Sequence, residues 1–257
     1  MSRLLLSADL KGVGKLLDGS IQSSYWLGFL LADGSFSCKG TRIKLALGDK
    51  DQGTVKDFVE YLGKKYTTPH CGAFMSKDYV PKIAEILGYE EGKPKTYNPP
   101  TVNFEDVMDK EQLIAFYIGF IDGDGCIRRQ PKRATTSITI KLHRSWCNFL
   151  QNLVDFLYDF YEAGVPPNAK INNAGYASVC IGNFNVCKGL KVFSNKLNVM
   201  KRKWDIIDED LLLKGEEYSI FCYKVKKLNE YNVSIKDISD VLDCGYQSVV
   251  RVLAGGY

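Results

Sequence analysis

One apolar run is written twice in this chain. Residues 26–34 read WLGFLLADG and residues 117–125 read YIGFIDGDG, so two Asp-Gly pairs stand 91 residues apart. The segments downstream of the two runs also match. After the first come SFSCK, a Lys39-Gly40 turn and RIKLALG, in which Ile43, Leu45 and Leu47 alternate with Arg42, Lys44 and Ala46. After the second come a strand from Cys126, a basic turn around Pro131 and TSITIKLH, in which Ile138, Ile140 and Leu142 alternate with Ser137, Thr139 and Lys141. Period-two alternation marks a strand with one buried face.

The spacing predicts helices over 24–33, 51–65 and 79–88 in the first half, with a short strand near 71–76. In the second half it predicts helices over 113–124, 145–163 and 184–198, with strands near 169–173 and 176–182. Between the halves, GYEEGKPKTYNPP (88–100) is rich in Gly and Pro and reads as a linker. Each repeat is expected to run αββαββα, far too long for a solenoid unit. The stretch between Tyr66 and Ser76 is short, which leaves the third strand of the first half in question. The expected class is α+β: two pseudo-symmetric repeats packed through their motif helices, each with an antiparallel sheet.

The tail departs from this pattern. Residues 217–230, 234–242 and 246–254 carry helical spacing, and a DCG turn (243–245) separates the last two. Ile238, Leu242, Val249 and Leu253 supply an apolar stripe. The pattern suits either a plain helical hairpin or a helix-turn-helix that would face a DNA groove with Gln247, Ser248 and Arg251. The expected domains are therefore residues 1–100, 101–205 and 215–257.

Composition narrows the class without naming it. With 257 residues, 45% of them hydrophobic and 25% charged, the chain has material for packed cores. No apolar run is long enough to span a bilayer, and MSRLLLSADLKGVGK lacks the features of a signal peptide. Eight cysteines are scattered with no CxxC pair, which predicts reduced, mostly buried thiols and an intracellular setting. A net charge of +4 decides little, but RRQPKR (128–133) and KRK (201–203) concentrate basic residues.

Gly28 and Ala32 are four residues apart, as are Gly119 and Gly123, so each motif helix has a smooth stripe. Such stripes let two backbones approach closely. Gly34 and Gly125 suit a left-handed residue that stops a helix. Asp33 and Asp124 would then emerge side by side at the negative ends of two helix dipoles, an arrangement unfavourable for a bare protein. A divalent cation reverses the sign of that problem, and magnesium prefers carboxylate, water and phosphate oxygens. The pattern points to a metal centre for phosphodiester chemistry. The polar strand faces complete it: Ser37, Lys39, Arg42 and Lys44 in the first half, and Arg128, Gln130, Lys132, Ser137, Thr139 and Lys141 in the second, suit a duplex groove.

Over about residues 24–204 the chain resembles the LAGLIDADG homing endonucleases in their single-chain, two-motif form, both nine-residue runs keeping the helix-packing Gly and the final Asp-Gly. The resemblance implies a monomer that hydrolyses both strands of a long, imperfectly symmetric DNA site in intron homing. It implies Mg2+ held by Asp33 and Asp124, with Gly34 and Gly125 beside them; Mn2+ would substitute and Ca2+ would support binding without cleavage. It also implies a basic residue near each centre. Lys95 and Lys203, from KPK (93–95) and KRK, are the expected catalytic lysines, with Lys93 and Lys201 as rivals. Asp51 and His143 are the expected polar residues near the metal water. Leu31 stands where the second motif has the acid Asp122, so an acid there is expected to be dispensable.

A DNA-binding regulator on the same scaffold, or an intron maturase with RNA as partner, remains the alternative. An HNH nuclease is excluded, since His70 and His143 are the only histidines. Tyr117-Ile118-Gly119 has no GIY partner at short range.

Overall fold

The computed structural model describes residues 10–37, 40–90, 92–130, 135–207 and 209–255; the side chains of 130, 135 and 209–217 are not considered. The chain forms two compact units that part at residue 207. The first unit runs α1 (Ile21–Asp33), β1 (Gly34–Ser37), β2 (Arg42–Ala46), α2 (Gln52–Tyr61), β3 (Cys71–Met75) and α3 (Val80–Ile86). It then repeats as α4 (Lys110–Asp124), β4 (Gly125–Gln130), β5 (Thr135–His143), α5 (Cys147–Phe160), β6 (Lys170–Ile171), β7 (Tyr176–Ile181), α6 (Phe184–Ser194) and the short α7 (Lys201–Trp204). The fold is α+β, with a three-stranded sheet ordered β1-β2-β3 and a four-stranded sheet ordered β4-β5-β7-β6.

The duplication is thus incomplete by one strand. β2 pairs antiparallel with β3 as β5 pairs with β7, so the missing element is the counterpart of β6. The reason is length: nine residues (62–70) join α2 to β3, whereas fifteen (161–175) join α5 to β7 and leave room for a hairpin.

Both motif helices start earlier than their apolar runs because polar caps extend them. Ser20 accepts from the Ser23 amide at 3.0 Å. Asp109 and Gln112 exchange two 2.9 Å bonds in a reciprocal capping box ahead of α4. α1 is buried without a break from Ser23 to Ala32, and α4 from Gln112 to Asp122. A helix apolar on all sides belongs in the interior of a molecule. Here the two lie against each other.

Small residues make that contact possible. A Cβ on Gly28 would stand 1.8 Å from the Phe116 carbonyl oxygen, and one on Gly119 would stand 1.9 Å from that of Tyr25. One turn on, a Cβ on Gly123 would meet the Ala32 methyl at 2.2 Å. Gly34 and Gly125 do not take the expected left-handed conformation: their φ values are −71° and −84°, in extended backbone. Their glycine requirement is steric, since a Cβ at either would press to 2.5 Å on the carbonyl oxygen four residues back.

The second unit holds α8 (Glu209–Glu230), α9 (Ile235–Val241) and α10 (Tyr246–Leu253) around Val225, Ile238, Val249 and Val252. Ser234 caps α9 by accepting from the Asp237 amide, and the turn into α10 passes through Asp243 at φ +46°. Among the described residues no helix is long and apolar enough to cross a membrane. Thiols depart from expectation: of the seven described cysteines, all free, only Cys187 is buried, while Cys126 and Cys180 occupy outward strand positions and are exposed.

Candidate active site at the ends of the motif helices

Asp33 and Asp124 are the last residues of α1 and α4, and the close packing of those helices brings them together. An Asp33 carboxylate oxygen lies 3.4 Å from where a Cβ of Gly123 would stand, one residue before Asp124. Asp33 is exposed and Asp124 half-buried. Partial burial, then repulsion from Asp33, pushes the Asp124 carboxyl up to about 6, against the pull of Lys95 and Lys203. Although Asp33 reaches solvent, the protein packed around its carboxyl removes enough water to raise it too, while Lys95 and Lys203 oppose the rise.

Each helix end carries a lysine from its own half. Lys95 Nζ donates to the carbonyls of Leu31 (3.1 Å), Ala32 and Gly34 (2.6 Å). Lys203 Nζ donates to those of Ile121 (3.2 Å), Asp122, Gly123 (3.4 Å) and Gly125 (2.7 Å). The same offsets recur in both halves. The C-terminal carbonyls of a helix carry partial negative charge, and an ammonium placed on them satisfies those groups and offsets the field. Burial lowers the Lys95 amine to about 8 against the opposing carboxylates, and lowers Lys203 as well.

The rivals lie elsewhere. Lys93 pairs with Glu90, and Lys201 is exposed. An ammonium has three N–H groups, and the carbonyls take up those of both Lys95 and Lys203. The carbonyls of Gly34 and Gly125, named as metal neighbours, are the acceptors of these same lysines.

The expected polar neighbours of a metal water are engaged elsewhere. Asp51 forms a two-pronged ion pair with Arg202, at 2.5 and 2.8 Å, linking the start of α2 to α7. His143 Nδ1 is 2.9 Å from the Ser145 hydroxyl, and its ring meets Tyr97 edge-on at 4.9 Å. KRK is therefore no uniform basic patch: Lys201 faces solvent, Arg202 holds Asp51 and Lys203 is buried.

The outward sheet faces follow from strand register. In the first sheet Ser37 stands opposite Arg42 and Ser35 opposite Lys44, with Met75 beside Arg42. In the second, Thr139 stands opposite Cys180, and Lys141 opposite Ser178, which also neighbours Lys170. Lys141 lies over the Tyr176 ring, 4.6 Å from its centre, and Arg128 is exposed on β4. One expected contact is corrected. Ser137 is only 4% exposed and has a partner within the protein, because a small hydroxyl can be buried cheaply once it is bonded. Lys39 and Lys132 lie outside the described residues, as does the side chain of Gln130. Gln247, Ser248 and Arg251 are exposed on α10.

Ser35, Met75, Lys170 and Tyr176 were missed on these faces; alternation in β1, β3 and β7 could have found three of them, but two-residue β6 offered no period for Lys170.

No group of three or more His, Cys, Asp or Glu side chains poised for a metal occurs among the described residues. The Asp33–Asp124 pair offers oxygen donors only, with water and phosphate needed to complete a shell. Such a hard, incomplete, all-oxygen donor set fits magnesium, which is usually held by one or two carboxylates and keeps several waters.

No protein-family model and no curated protein matches the chain. Solved structures do. The I-SmaMI LAGLIDADG homing endonuclease bound to cleaved DNA overlaps 76% of this chain and 90% of its own, at 11% identity and a TM-score of 0.48. I-SmaMI bound to an uncleaved DNA target in the presence of calcium ions overlaps 86% and 99%, at 12% and 0.47. The LAGLIDADG meganuclease I-AabMI bound to uncleaved DNA overlaps 79% and 92%, at 13% and 0.45. The likeness is to LAGLIDADG homing endonucleases.

Proposed function

We propose that the chain is a site-specific DNA endonuclease of the LAGLIDADG homing type, hydrolysing both strands of a duplex with divalent metal. The observation that carries this reading is the convergence of Asp33 and Asp124 at the ends of two backbone-to-backbone helices, each end neutralised by a lysine. No structural need explains two carboxylates that repel one another there. A cation between them does.

Asp33 and Asp124 would hold the ion, and magnesium bound there would supply an activated water and a stabilised leaving oxygen. Lys95 and Lys203, with their N–H groups on carbonyls, act by charge: they cancel the negative helix ends where a phosphate must approach. Arg42, Lys44, Arg128 and Lys141 offer phosphate and base contacts on the outward strands. Asp51 would reach the site only by leaving Arg202, so we place it, with His143, as support for the surrounding loops. In the second unit, α10 would contact flanking DNA through Gln247, Ser248 and Arg251. On this reading the working partner is double-stranded DNA and the chain acts as a monomer.

The test is cleavage of a randomised or host-derived duplex library with magnesium, manganese, calcium or EDTA, using the wild-type protein beside Asp33→Asn and Asp124→Asn. Metal-dependent double-strand cuts at one rare site, absent from both variants, are expected. Tight, salt-sensitive binding to one site without cutting in any metal would make the protein a regulator instead.

A further inference from the structure

Asp122 has no counterpart in the first motif, where Leu31 fills the matching place, and the sequence alone makes it look expendable. The structure places it at a junction. It is 1% exposed, yet it accepts three hydrogen bonds: from the Tyr25 hydroxyl at 2.8 Å, the Met200 amide at 2.9 Å and the Trp204 indole N–H at 2.8 Å. Met200 and Trp204 flank Lys203 on either side. Tyr25 belongs to α1, so one carboxylate ties the segment bearing Lys203 to both motif helices.

The same segment is held twice more by the first half: the Asn198 amide donates to Gln22 at 2.9 Å, and Arg202 grips Asp51. The first centre is built differently. Lys95 sits in a turn of the linker, whose nearest anchors are the Trp146 indole N–H on the Thr96 carbonyl at 3.0 Å and the Tyr97–His143 ring contact. In the place that matches Asp122, the first motif has the buried Leu31, which has no polar atom to hold the linker.

We propose that Asp122 is a positioning residue for one of the two cleavage centres only, holding the Lys203 segment so that its ammonium seats on the α4 carbonyls. This rests on the endonuclease reading for its effect on DNA, but not for its effect on Lys203. Replacing the acid by an amide puts donors against donors, and buried groups left without partners are costly enough to shift the segment. A displacement of about 1 Å near a reacting centre can cost on the order of 100-fold in rate.

Two measurements test it. The first follows cleavage of a duplex labelled separately on each strand. Asp122→Asn is expected to slow one strand by about tenfold or more, with the other within about twofold, so that nicked DNA accumulates. Equal slowing of both strands would overturn the proposal. The second needs no cleavage: brief acetylation with acetic anhydride, read by mass spectrometry at each lysine. In the wild-type protein Lys95 and Lys203 should be protected relative to Lys201, and in Asp122→Asn only Lys203 should become reactive. Unchanged protection of Lys203, or equal exposure of Lys95, would overturn it. Trp204→Phe removes one of the three donors and keeps a six-membered aromatic ring in its place, so it carries both tests in milder form should the amide variant fail to fold. A wild-type protein that cuts nothing would refute the endonuclease reading and leave the labelling result to decide the role of Asp122.

Discussion

Asp124 carries the sharpest consequence of the site at the scale of one residue. In the folded, metal-free protein its carboxyl holds a proton up to about pH 6, whereas in an unfolded chain it gives it up near the ordinary value of about 4. The folded state therefore binds the proton more tightly. This group favours folding at low pH, and that contribution is lost as pH rises through about 6. Thermal unfolding without metal should show a decline of Tm over that window, shallower in Asp124→Asn. Magnesium should restore the Tm of the wild-type protein above pH 6 and do little below it, because a protonated carboxyl is a poor ligand. Calorimetric titration on either side of that value should find magnesium affinity lower at the acid end. A pH-independent affinity would remove Asp124 from the metal site. The matched cleavage prediction is a fall of at least about 100-fold for Asp33→Asn or Asp124→Asn, with DNA binding retained, measured by gel shift beside the cleavage assay.

Residues differed in how legible they were. The places of Asp33 and Asp124 at the helix ends could be read because a repeated motif marks its own end. Choosing Lys95 over Lys93 rested on the family resemblance alone, and only the structure shows Lys93 on Glu90 and Lys95 on the helix end. The bonding of Asp122 was out of reach of the sequence for a physical reason. A buried acid is costly until its donors are known, and its three donors come from α1 and from residues 200 and 204, which no local pattern connects.

Helices and strands answer to different parts of the sequence. The contact of α1 with α4 is a backbone contact, so its tolerance for volume is small. Gly119→Ala would set a methyl 1.9 Å from the Tyr25 carbonyl oxygen, which no rotamer change relieves. Overpacking of this kind typically costs about 1–3 kcal/mol or more, and here we expect at least about 3 kcal/mol, read as a lower denaturant midpoint. Gly53→Ala in α2 is the contrast: it meets nothing within 4 Å and should stabilise by about 0.5–1 kcal/mol through helix propensity. If both variants unfolded alike, the close helix contact would be wrong.

At this scale sequence pattern located nearly every element and misplaced several ends. α1 and α4 begin at their polar caps, three residues before the apolar runs would suggest. The alternation in β2 described its two faces correctly, whereas in β5 the outward series breaks at buried Ser137. Periodicity tells which side a residue faces and nothing about what else covers that side.

For the whole molecule, the two compact units make a prediction about parts. Among the described residues the core of the second unit is small, with Val225, Ile238, Val249 and Val252 at its centre. A chain ending at residue 207 should therefore keep its cooperative unfolding and its cleavage, and lose affinity. On the reading of α10 as a DNA contact, the loss should appear as a shorter protected region in footprinting and a shallower salt dependence of binding. An unchanged footprint would leave α10 without a role on DNA. Val249→Asp, which buries a charge among Val225, Ile238 and Val252, should reproduce the truncation by unfolding the second unit alone.

The turns between α3 and α4 look like a tether, yet they deliver Lys95 to the end of α1 and are pinned at Thr96 by Trp146. Modular exchange therefore has a boundary that element ends do not reveal. A chimera that joins this first half to a foreign second half just after Ile86 leaves the lysine behind. A junction near residue 100 carries the lysine across but strands Thr96 unless the new partner offers an indole in the place of Trp146. In a chain built of two matched halves, the join itself belongs to the end of one half's motif helix, and halves can be traded only together with the seam that connects them.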